Sequence, residues 1–139
     1  MLIFVLSAEM HGIVAIRAIL NGVEAPLQFN VDPLAIMEQV VRDRDYTEDR
    51  PIIIAATHFE VNDHVALSIF AMAVKRMDPR AWVFAYSMMA LSSEDRGEHL
   101  DGVIPKGVEG VDKLIEFLQA DPQKAKTLAE LKAQFPWLK

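Results

Sequence analysis

The chain has 139 residues, 52% of them hydrophobic, and a formal net charge of −6. That length supports one domain with its own core, the composition is too apolar for a disordered chain, and the acidic balance disfavours a nucleic-acid partner. The absence of cysteine excludes disulfides, thiolate metal sites and cysteine nucleophiles, and no apolar run approaches the roughly 18 residues that span a bilayer.

Met1 leads directly into Leu2-Ile3-Phe4-Val5-Leu6 with no basic stretch before it, which reads as a first strand and not as a signal peptide. A cytoplasmic protein is therefore expected. Ile13, Ile16, Ile19 and Leu20 recur at helical spacing and predict a first helix; Asn21-Gly22 then signals a turn into a weaker strand at 27–31. Asp32 as N-cap and Pro33 at the first helical position predict a second helix over 33–42. The charged run 42–50 reads as a solvated connector. Strands follow at 52–56, 82–86 and 102–104, each a continuous apolar run of the kind covered on both faces. Asp63 is expected to cap a third helix over 64–77, which stops before Asp78-Pro79. Gly107 and Gly110 open a further helix with Val111, Leu114, Ile115 and Leu118 on one face.

Strands alternating with helices imply an α/β domain, a doubly wound five-stranded parallel sheet in the flavodoxin-like order 2-1-3-4-5. This domain is expected over 1–120, with a helical extension over 121–139. The extension is read as one helix from Asp121-Pro122, with Leu128, Leu131 and Phe135 on a stripe and Pro136 ending it.

The stretch Asp101-Gly102-Val103-Ile104-Pro105-Lys106 carries a lysine to the carboxyl end of a strand, the rim where open α/β sheets bind ligands. This motif and the strand–helix alternation resemble the receiver domain of two-component response regulators over residues 1–120. The resemblance implies that Lys106 and Ser87, which ends Phe84-Ala85-Tyr86-Ser87, are equivalents of the family's phosphate contacts, and that 92–98 is a shortened fourth helix. It also implies a phospho-accepting aspartate at the end of the third strand and two adjacent acids after the first. Here Ile54-Ala55-Ala56-Thr57-His58 supplies Thr57 and His58, and Leu6-Ser7-Ala8-Glu9 supplies Glu9 alone. An acyl phosphate needs a carboxylate nucleophile, and magnesium favours several carboxylate oxygens. The expectation is a degenerate receiver whose phosphate and anion pocket is represented by Glu9, Thr57, His58, Ser87 and Lys106, with no catalytic residue and no cofactor.

A second reading uses the histidines. His58, Glu60 and His64 lie within seven consecutive residues, and imidazole with carboxylate oxygen suits zinc. On that reading the chain is a metal- or anion-binding α/β protein, with zinc or magnesium at the rim and hydrolysis as its conceivable chemistry, although the spacing matches no established ligand motif. Phosphate-cradling glycine motifs are absent, so a P-loop or dinucleotide-binding enzyme is not expected.

The third helix carries Val65, Leu67, Ile69, Phe70, Met72, Val74 and Met77 around most of its circumference, more apolar surface than one sheet face requires. The tail helix is expected to fold over it, with a second copy of the chain as the alternative cover. The receiver resemblance adds the surface around the last helix as another dimer face. Protein partners, a homodimer among them, are thus the expected route of action.

Overall fold

A computed structural model describes residues 3–7, 10–23, 27–44, 49–56, 61–87, 97–105 and 110–139, with the backbone alone at 10–13, 19, 61–66 and 110–112. Five strands form one parallel sheet: β1 Ile3–Ser7, β2 Leu27–Asn30, β3 Ile52–Ala56, β4 Trp82–Ser87 and β5 Gly102–Pro105. Their order is β2-β1-β3-β4-β5, as the sequence predicts for a flavodoxin-like fold. Register aligns Ile3 with both Leu27 and Ile52, Ile52 with Trp82, and Phe84 with Gly102.

Strand alternation splits the apolar residues between two cores. Ile3, Val5, Ile52, Ile54, Trp82, Phe84, Tyr86 and Ile104 point to one face, covered by α1 (Met10–Ile19) and α4 (Gly110–Gln119). Phe4, Leu6, Ile53, Ala55, Val83, Ala85 and Val103 point to the other, covered by α2 (Pro33–Asp43) and α3 (Val61–Met77). The continuous apolar runs follow from this arrangement, since both faces of each central strand are buried.

Local signals set most of the helix ends. Asp32 caps α2 by accepting the Leu34 N–H at 3.0 Å, with Pro33 in the first turn. α3 begins at Val61, so Asp63 lies inside its first turn and does not precede the helix as a cap. An acid is favourable at both positions because of the helix dipole, and sequence does not separate them.

The tail departs from expectation in two ways. Asp121 adopts a left-handed φ of 55°, and Pro122–Lys124 forms only a 3₁₀ turn. A separate helix, α5 (Leu128–Gln134), then starts at Thr127, whose hydroxyl accepts the Glu130 N–H at 3.1 Å. The tail also packs on the face opposite α3. Leu131, Phe135 and Leu138 join the core built by β4, β5 and α4, whereas Leu67, Phe70, Ala71 and Val74 of α3 lie in the other. A ladder of rings fixes this: Phe84 to Phe117 at 5.3 Å, Phe117 to Phe135 at 5.4 Å and Phe135 to Trp137 at 5.3 Å between centroids. The first pair is edge-on and the other two are tilted, and such aromatic pairs add to the area they bury. α3 does not need the tail, because its described side chains are mostly buried or half-buried and Ile69 is its one large apolar side chain left exposed among them.

Candidate functional site

The carboxyl ends of the strands form the candidate rim. Register places Ser7 of β1, Ala56 of β3 and Tyr86 of β4 in one row, and Ser87 beside Pro105 of β5 in the next. Ser7 and Ser87 are 2% and 1% exposed; with Asp78 they make up the buried polar residues among those described. Neither serine lacks a partner. Alternation sets Ser7 on the face of Ile3 and Val5, and Ser87 on the face of Val83 and Ala85. The two hydroxyls therefore serve opposite sides of the sheet. Ser7 is the rim residue that sequence reasoning passed over; the available signal was a hydroxyl closing an apolar run. Two strands away in the same row, burial pushes the Tyr86 phenol above its ordinary pKa, so it stays protonated through the neutral range.

Of the residues assigned to the phosphate and anion pocket, Ser87 alone falls within the described structure. Glu9, Thr57, His58 and Lys106 lie outside it, as does Glu60, while His64 is placed by its backbone in the first turn of α3. Among the described residues no group of three metal-ligating side chains converges. The chain positions of the undescribed residues remain informative: Thr57 follows Ala56 directly, and Lys106 follows Pro105.

The opposite, amino-terminal end of the sheet holds the charged contacts. Asp101, the first residue of the lysine motif, accepts the Val83 N–H at 2.8 Å and the Lys75 ammonium at 2.7 Å, both through Oδ2. Its own N–H donates to the Val83 carbonyl at 2.9 Å. Lys75 also donates to the Ala81 carbonyl at 2.9 Å. Asp101 thus adds a rung before β5 and ties α3 to the start of β4.

Asp78 is 3% exposed and accepts from the Arg80 N–H at 3.0 Å and from its guanidinium at 3.1 and 3.0 Å. Burial alone raises the Asp78 pKa and is the largest single influence, but the Arg80 hydrogen bonds and the charges of Arg80 and Arg44 together hold it below the ordinary value. Arg50 stacks on Trp82, its guanidinium carbon 3.8 Å from the ring centroid, and donates to the carbonyls of Arg80 at 2.7 Å and Lys126 at 3.1 Å. One side chain so joins the start of β3, the turn before β4 and the tail. These charges are consumed in holding the fold together, and they lie away from the rim.

No described helix is long and apolar enough to cross a membrane. No protein-family model matches the chain, nor does any curated protein or solved structure. The strand order supports a flavodoxin-like α/β fold.

Proposed function

We propose that this chain is a phosphorylation-incompetent, receiver-like regulatory module that acts through protein–protein contacts. The end of β3 carries the reading. This central strand closes at Ala56 and continues into Thr57-His58, so the position that would attack a phosphoryl donor holds no carboxylate. A hydroxyl or imidazole there cannot form the acyl phosphate on which receiver switching depends. Ser87, buried at the end of β4, would match the hydroxyl that the family keeps there, which is consistent with the reading. Regulation would then come from occupancy of a partner, without turnover.

The test is an amide NMR titration with magnesium followed by beryllofluoride, a mimic of the phosphoryl group. The expected result is no coherent shift at Ala56, Thr57, Ser87 or Lys106. Coherent shifts at all four would show a pocket that still answers a phosphate mimic and would overturn the reading. A parallel titration with zinc addresses the metal-binding alternative, which predicts saturable shifts at His58, Glu60 and His64.

A further inference from the structure

We draw no further inference here: the strongest candidate, the apolar groove along β5 and α4 that the chain's own tail fills with Leu131, Phe135 and Leu138, belongs to the core already described, and nothing in the structure shows another occupant for it.

Discussion

Gly102 and Leu138 pack closely: a Cβ on Gly102 would lie 3.1 Å from Leu138 Cδ1 and 3.1 Å from Phe84 Cδ1, so both neighbours would have to give by a few tenths of an ångström. The missing side chain lets Leu138 of the tail sit close to β5. Gly102→Ala should therefore destabilise the protein by about 1–2 kcal/mol, the usual cost of one methyl too many in a packed core. Leu138 is 4% exposed, and Leu138→Ala should cost about 2–4 kcal/mol through the cavity it leaves. The double variant should be more stable than the sum of the two losses implies, because removing the leucine makes space for the new methyl. Urea unfolding of the four proteins checks this. Strict additivity would mean that the tail does not rest on Gly102.

How much of this the sequence disclosed depended on range. The parallel sheet was legible because residues such as Ile52, Ile53 and Ile54 are apolar without alternation, which only a strand buried on both faces requires. Asp32 and Pro33 marked α2 by chemistry acting within one turn. The tail was misplaced because its partners, Phe84, Phe117 and Gly102, are distant in sequence, and a stripe of apolar residues does not name the face it covers. Its break was legible in principle: Thr127 followed by Glu130 is a helix-start signal, and it was overlooked beside the stronger Asp121-Pro122 pair. At the rim, Ser87 is legible as the hydroxyl that ends the fourth strand, while Asp101 reads as the first residue of the lysine motif. Its carboxylate instead ties β4 to α3, a pairing 26 residues apart that no local pattern encodes.

The Lys75–Asp101 pair is shielded, with side chains 21% and 12% exposed. Asp101→Ala removes the acceptor of the Val83 N–H as well as the partner of the ammonium, and should cost about 2–4 kcal/mol. Asp101→Asn retains an oxygen for Val83 and should cost about half as much, which separates the hydrogen bond from the charge. Lys75→Met in the Asp101→Asn background should restore part of the loss, since it removes the cation left without a counter-charge. Equal destabilisation by Asp101→Ala and Asp101→Asn, measured by urea unfolding, would assign the effect to charge alone.

Asp78 makes acid stability measurable. Its pKa is held below the unfolded-chain value of roughly 3.9, so the folded protein binds fewer protons than the unfolded chain as both titrate. The contribution is therefore fully present above that unfolded value and is lost as pH falls through the folded one. Urea midpoints taken from about pH 6 down to about pH 2 should drop more steeply in the wild type than in Asp78→Asn. At neutral pH the variant should be the less stable protein, because the Arg80 guanidinium loses its charged acceptor. The two curves should converge toward the acid end. Parallel curves would show that the Asp78–Arg80 contact carries no net charge stabilisation, and that the turn before β4 is held by its main-chain hydrogen bonds and by Arg50 alone.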